Sequence, residues 1–274
     1  MPLDQISDEK EMSFLDHLEE LRWHIIRSLI AIVIVAIAAF IAKTFVIDTI
    51  ILGPSRTDFW TYRRLCELSA ILKTPALCID TLPFELVSRR LSGQFMMHVT
   101  VSFAVGLILG FPYLFWEIWR FIRPGLRPRE RKTSRGATFS VSLLFMLGVL
   151  FGYFVIAPIS VRFFASYEIS NTLQNLFDLS SYISTVTMIV LGAGILFQLP
   201  VVVYFLTKAG IISSVLMRRY RKHAIIIILV LGAVITPPDP FSQILIALPL
   251  MLLYQLSIFI AKRIERKEAK RLNS

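Results

Sequence analysis

Long apolar runs separated by short basic clusters organise this chain. Charge-free stretches run from Phe95 to Trp116, from Gly136 to Val161 and from Leu179 to Thr207. The hydrocarbon core of a bilayer takes about 20 residues of helix at ~1.5 Å each, so these three predict membrane-spanning helices outright. A shorter run, Ser28 to Ala42, reaches the same length if Arg27 and Lys43 snorkel to the two interfaces. Two further runs, Ala224 to Pro238 and Pro240 to Ala261, are split by Asp239. The first of them supplies roughly 22 Å of helix, less than the ~30 Å core, and predicts local bilayer thinning. It reads as a re-entrant segment or as half of a short hairpin. The hairpin is favoured, turning at Thr236-Pro237-Pro238-Asp239-Pro240, because three prolines there cannot continue a helix. Pro112, Pro158, Pro200 and Pro249 lie inside spans and should bend them. The pattern therefore predicts an all-α integral membrane protein: six transmembrane helices in a bent bundle, with short fifth and sixth spans.

Lysine and arginine set the expected orientation. The segment after the second span carries Arg120, Arg123, Arg127, Arg129, Arg131, Lys132 and Arg135. Lys208, Arg218, Arg219, Arg221 and Lys222 follow the fourth span; Lys262, Arg263, Arg266, Lys267, Lys270 and Arg271 follow the sixth. The connection after the third span has only Arg162, so the positive-inside rule places both termini in the cytoplasm. The expected organisation is a single six-span domain over residues 1–274. A cytoplasmic segment covers 1–23, a long extracytoplasmic loop 47–94 and a basic cytoplasmic tail 262–274. Within the loop, Phe59 to Tyr62 and Leu82 to Leu91 predict short amphipathic helices on the outer surface. Gly106 with Gly110, and Gly148 with Gly152, lie at helical spacing. They either let helices approach closely or reflect the general frequency of glycine in membrane helices.

Composition agrees with the pattern. Hydrophobic residues make up 55% of the chain and charged residues 18%, where a soluble domain carries about a quarter; mean hydropathy is +0.68. A net charge of +10 would suit nucleic acid, but its confinement to the flanks of apolar runs is the membrane pattern. Asp4, Asp8, Glu9, Glu11, Asp16, Glu19 and Glu20 oppose a cleavable signal peptide or an organellar presequence, so a bacterial cell membrane is expected. Phosphate-binding glycine loops, H-E-x-x-H, G-x-S-x-G and Cys/His clusters at metal spacing are all missing from the sequence. No cofactor, metal or enzymatic activity is expected. His17, His24, His98 and His223 are scattered and read as interfacial residues rather than ligands.

Four stretches carry a family resemblance. Ser13 to Arg22 reads SFLDHLEELR, and Phe111 to Arg131 reads FPYLFWEIWRFIRPGLRPRER. Phe151 to Pro158 reads FGYFVIAP, and Thr236 to Gln243 reads TPPDPFSQ, followed by LIALPLMLLYQ. Together, and in this order, they resemble the TatC family over nearly the whole chain. The resemblance implies the core receptor subunit of the twin-arginine (Tat) translocase. Such a subunit binds twin-arginine signal peptides and passes folded precursors across the membrane with single-span TatA/TatB-type partners, driven by the proton-motive force. It implies a homo-oligomer within a larger complex and no nucleic-acid partner. The rival from another class is a secondary transporter of a small solute, which would favour internal repeats and intramembrane charges; neither is evident.

On that resemblance, the signal-peptide residues are Glu20 and Glu130, with Arg22, Phe121 and Pro124 on the same face. A carboxylate matches guanidinium in two parallel hydrogen bonds that a Lys ammonium cannot reproduce. The residues alone equally allow each acid to neutralise neighbouring cations; Glu130 lies between Arg129 and Arg131. Phe121 either covers the apolar part of a signal peptide or is an ordinary interfacial aromatic. Glu19 points about 100° away from Glu20 and ranks second. Gln198, deep in the fourth span, reads by resemblance as a docking residue for a partner span, and by its chemistry as a helix-to-helix hydrogen bond. Asp239 and Gln243 acquire a transport role from the resemblance, as does Asp178; both aspartates also suit helix N-caps. Cys66 and Cys78 both lie in the outer loop. They are free thiols or a disulfide closing a 13-residue loop worth roughly 3 kcal/mol if unstrained.

Overall fold

A computed structural model describes residues 14–74, 78–122, 136–168, 170, 175–235 and 240–272, most of them helical. Helix α1 (Phe14–Ile41) is followed by π-helical turns over Thr44–Ile51. Helix α2 (Trp60–Leu72) and strand β1 (Glu85–Val87) precede α3 (Gly93–Ile122). Helix α4 (Ala137–Phe151) runs through a π segment (Gly152–Ile156) into α5 (Ala157–Ser166). Strand β2 (Leu176–Asp178) leads into α6 (Leu179–Leu196) and α7 (Leu199–Lys208). Helices α8 (Ser214–Arg219), α9 (Arg221–Ile235) and α10 (Pro240–Leu272) complete the chain.

Among the described residues, five stretches are long and apolar enough to cross a membrane: Glu19–Ile41, Gly93–Ile122, Thr138–Ser166, Leu179–Lys208 and Ser242–Lys267. Helix α9 has only 15 residues. It lies antiparallel to α10, with Gly232 against Ile246 and the Gln243 Nε2 donating to the Leu229 carbonyl at 3.4 Å. The expected turn at 236–239 lies outside the described residues. The expectation of a short sixth span fails, because α10 extends for 33 residues. After Pro249 it meets no Gly or Pro, and apart from Ile264 its basic tail through Leu272 is built of Ala, Lys, Arg, Glu and Leu, all strong helix formers.

The loop between α1 and α3 departs from expectation in one half. Helix α2 begins within the predicted Phe59 to Tyr62 segment, but Leu82 to Leu91 forms no helix. Its Glu85–Val87 pairs in parallel with Leu176–Asp178, and Phe84 packs on Phe177 at 5.0 Å between ring centroids. Pro83 lacks an N–H, and the segment's apolar residues alternate at strand spacing rather than helical spacing.

Two of the four span prolines interrupt helices. Pro158 cannot donate to the Phe154 carbonyl four residues back; that oxygen instead accepts the Thr61 hydroxyl at 2.5 Å. The neighbouring Tyr62 is fully buried, its hydroxyl 2.8 Å from the Pro54 carbonyl oxygen and 2.9 Å from that of Pro158. Burial raises the Tyr62 phenol pKa well above its ordinary value. Tyr153 and Tyr182 donate to the carbonyls of Ile50 and Ile51 at 2.7 and 2.9 Å. The FGYFVIAP stretch is therefore where the loop after α1 is fastened to the bundle. Pro200 falls in the first turn of α7, just past the break at Gln198. Pro112 and Pro249 lie within α3 and α10, which continue through them.

Helices α1 and α3 pack antiparallel along most of their length. A Cβ on Gly106 would stand 2.7 Å from the Ile32 carbonyl oxygen, and one on Gly148 would stand 2.6 Å from that of Ala193. Both glycine pairs therefore mark close helix crossings. Buried Phe145, Ile156, Ile183, Val186, Ile189, Ile246 and Leu250 belong to one core shared by α4, the π segment after it, α6 and α10. Large apolar side chains also face outward, such as Ile34 at 61% exposure and Ile41 at 77%, as a protein dissolved in lipid requires.

Candidate functional site

The α1–α3 pair carries a polar cluster at the end where α1 begins and α3 ends. Its antiparallel register is fixed along the interface. At the far end, the rings of Phe40 and His98 stack at 3.9 Å and His98 Nε2 lies 3.0 Å from the Phe40 carbonyl. Gly106 and Gly110 meet Ile32 and Ala36 in the middle. That register brings His24 of α1 against Glu117 of α3, both buried, with His24 Nδ1 hydrogen-bonded to Glu117 Oε2. The other carboxylate oxygen of Glu117 accepts the Tyr113 hydroxyl at 2.8 Å. His24 Nε2 faces outward to Glu20 Oε1 at 3.9 Å, and the Phe121 ring approaches the imidazole edge-on at 6.1 Å.

The sequence suggested His24 only as an interfacial residue and gave Glu117 no role. Glu117 lies one residue past the charge-free run, at i+4 from Tyr113 and i−4 from Phe121, so these three share a helix face. That stripe was the readable signal. A carboxylate buried in an apolar helix pair needs donors, and His24 and Tyr113 supply them.

Glu20 and Glu19 are sorted by helical geometry. Glu19 pairs with Arg22 at 3.2 Å, with both side chains about 60% exposed. Glu20, 40% exposed, has the His24 ring as its neighbour and no cation within ion-pair distance among the described residues, apart from that histidine. A half-exposed carboxylate on a buried polar root is suited to accept a guanidinium from outside. Glu130 and Pro124 lie outside the described residues, as does Asp239. The structure thus brings Glu20 and Phe121 together around His24, while Arg22 turns to Glu19.

The remaining candidates are elsewhere. Gln198, at the break between α6 and α7, donates from Nε2 to the Val141 carbonyl at 3.2 Å, the helix-to-helix bond its chemistry allows. Its buried Oε1 has no hydrogen-bond partner among the described residues. Gln243 ties α10 to α9. Asp178 caps α6, accepting the Ser180 amide at 2.8 Å and the Ser180 hydroxyl, and these bonds hold its pKa below the ordinary carboxylate value. Cys66 and Cys78 are joined in a disulfide. With Asp80 they form the one cluster of metal-ligand side chains among the described residues, and the disulfide occupies both sulfurs.

Residues 16–249 match the family model for Sec-independent protein translocase protein (TatC). The Sec-independent protein translocase protein TatC of Blattabacterium sp. subsp. Periplaneta americana is 43% identical over 264 residues, covering 96% of this chain and 99% of that protein. The corresponding protein of Carboxydothermus hydrogenoformans is 34% identical over 262 residues, covering 95% and 97%. Among solved structures, a crystal structure of the twin arginine translocase receptor TatC in DDM superposes with a TM-score of 0.70 at 34% identity. It covers 89% of this chain and 99% of the other.

Proposed function

The chain belongs to the TatC family of Sec-independent protein translocases, multi-pass membrane transport subunits rather than enzymes, and on that premise we propose that it is the receptor for twin-arginine signal peptides. In this reading it spans the bacterial inner membrane six times as one domain, with α9 as a short fifth span. Both termini are cytoplasmic, consistent with the distribution of lysine and arginine. It works with single-span TatA/TatB-type subunits in an oligomeric complex, and the proton-motive force drives folded precursors across.

The observation that carries the receptor reading is the carboxylate of Glu20. It is half exposed, set apart from the Glu19–Arg22 pair, and backed by the buried His24–Glu117–Tyr113 cluster. Glu20 takes one guanidinium of the arginine pair, and Glu130 the other. Phe121 covers the apolar stretch that follows in the peptide. His24, anchored on Glu117, sets the direction of Glu20. Gln198 acts in docking a partner span, and Gln243, Asp178 and Asp239 act in transport.

Binding of the detergent-purified protein to signal peptides carrying Arg-Arg or Lys-Lys tests the reading. The Arg-Arg peptide should bind preferentially. Glu20→Gln and Glu130→Gln should each weaken it by on the order of tenfold or more, the worth of one charge-assisted hydrogen-bonded pair. Glu19→Gln should have little effect. Equal binding of the two peptides, or unchanged binding in both variants, would remove guanidinium recognition from these carboxylates.

A further inference from the structure

Helices α8, α9 and α10 border an open cavity of about 610 Å³ lined by Arg218, Arg219, Arg221, Lys222, Gln255, Ile258 and Phe259. It belongs to none of the roles above. We propose that this cavity binds the headgroup of an anionic phospholipid.

Charge supports this first. Four cationic side chains converge, and among the described residues no acidic side chain lines the cavity. Arg218, Arg219 and Lys222 form no ion pair among the described residues. The nearest carboxylate on α10, Glu265, is already engaged, accepting from the Ser214 amide and hydroxyl at the start of α8. Like charges so concentrated repel one another, and an anion among them relieves that cost.

The framework is held in place. Arg221 Nη2 donates to Gln255 Oε1 at 2.9 Å, fixing a guanidinium across the α9–α10 groove. Tyr254 donates to the Met217 carbonyl at 2.9 Å, and the Ser214–Glu265 bonds tie the other end of α8 to α10. A phosphate arriving here meets one guanidinium already placed, which lowers the ordering cost of binding.

Position selects lipid over a free anion. On α9 the chain changes from Arg221 and Lys222 to the apolar run Ala224–Ile235, and on α10 the apolar run gives way at Lys262 and Arg263. The cavity therefore sits where apolar helix meets polar surface, the depth of a headgroup in either leaflet. Phe259 is exposed, and Arg263 lies over its ring at 5.1 Å, so apolar and cationic surfaces adjoin. The same helices border an almost wholly apolar groove of about 400 Å³ with Met217, Ala224, Ile228, Leu231 and Tyr254 in its wall, a surface suited to acyl chains. A soluble phosphate would use only the charged part.

The experiment is native mass spectrometry of the purified full chain titrated with phosphatidylglycerol, cardiolipin or phosphatidylcholine. The wild type should retain the anionic lipids and not phosphatidylcholine. Arg219→Gln/Arg221→Gln/Lys222→Gln should lose on the order of tenfold or more in affinity, since each cation near an anionic surface is worth about fivefold. Arg63→Gln, on α2, should leave binding intact. In parallel, a photoreactive phosphatidylglycerol applied to the wild type, where folding is not in question, should label residues 218–222 or 255–259. Equal retention of phosphatidylcholine, labelling only elsewhere, or retention unchanged in the triple variant would overturn the proposal. Displacement of the lipid by millimolar inorganic phosphate would also overturn it, in favour of a soluble anion site.

Discussion

His24 and Glu117, 93 positions apart, are hydrogen-bonded side chain to side chain in the buried interface of α1 and α3. Helices cannot slide by a turn without separating these partners, so the pair sets register as well as filling space. Removing one member of a buried polar pair costs about 3–5 kcal/mol, because the survivor is left unsatisfied. Glu117→Ala and His24→Ala should each lower the thermal midpoint in detergent strongly. The double variant should lose less than the sum, with a coupling of about 1 kcal/mol or more. Additive losses in that cycle would show that the two side chains act independently.

The glycines at helix crossings give a contrast within one residue type. A methyl group at Gly106 or Gly148 would stand 2.7 or 2.6 Å from a backbone oxygen of the facing helix, and backbone cannot rotate aside. At Gly136 the same methyl group meets nothing within 4 Å. Gly106→Ala and Gly148→Ala should each cost about 1–3 kcal/mol through forced separation of the helices. Gly136→Ala should be neutral or slightly stabilising. Thermal unfolding of the three variants under one condition checks the order, and equal midpoints would contradict the packing.

Tyr62 fastens the loop between α1 and α3 to α5, so its loss should be felt in that loop first. Tyr62→Phe leaves the Pro54 and Pro158 carbonyls without the hydroxyl and should cost about 1–3 kcal/mol. The buried phenol has a raised pKa in the folded state, so its contribution is complete below the ordinary value of 10.0 and is lost as pH rises beyond it. Wild-type stability should therefore decline above pH 10, and the Tyr62→Phe protein should decline less steeply. Parallel slopes would mean that the phenol does not titrate between the two states.

The spans were legible because lipid leaves no alternative to long charge-free helices, and Gly93–Ile122 or Leu179–Lys208 announce themselves by composition alone. The length of α10 was not, since its basic tail leaves the apolar run while remaining helical. The β1–β2 pairing was hidden because residues 85 and 176 meet only after the bundle forms, and the short alternation at Leu82, Phe84 and Leu86 names no partner strand. Glu20 and Phe121 were candidates through family resemblance, and the structure sets both beside His24. Their link through His24 and Glu117 was not legible, because it depends on the register of two helices far apart in sequence.

Gln198 separates a structural role from a docking role in one residue. Its Nε2 makes a single 3.2 Å bond to Val141, while its buried Oε1 has no partner among the described residues. Within the bundle, Gln198→Leu exchanges one long hydrogen bond for removal of an unsatisfied carbonyl, so stability should change by less than about 1 kcal/mol. If Oε1 receives a donor from a partner's span, the same substitution should sharply reduce site-specific crosslinking between α6–α7 and a co-expressed single-span subunit. Gln198→Glu keeps an acceptor and should retain much of the crosslink. Unchanged midpoint with lost crosslinking assigns the residue to the partner. A large fall in midpoint with crosslinking intact would make it a brace of the bundle alone.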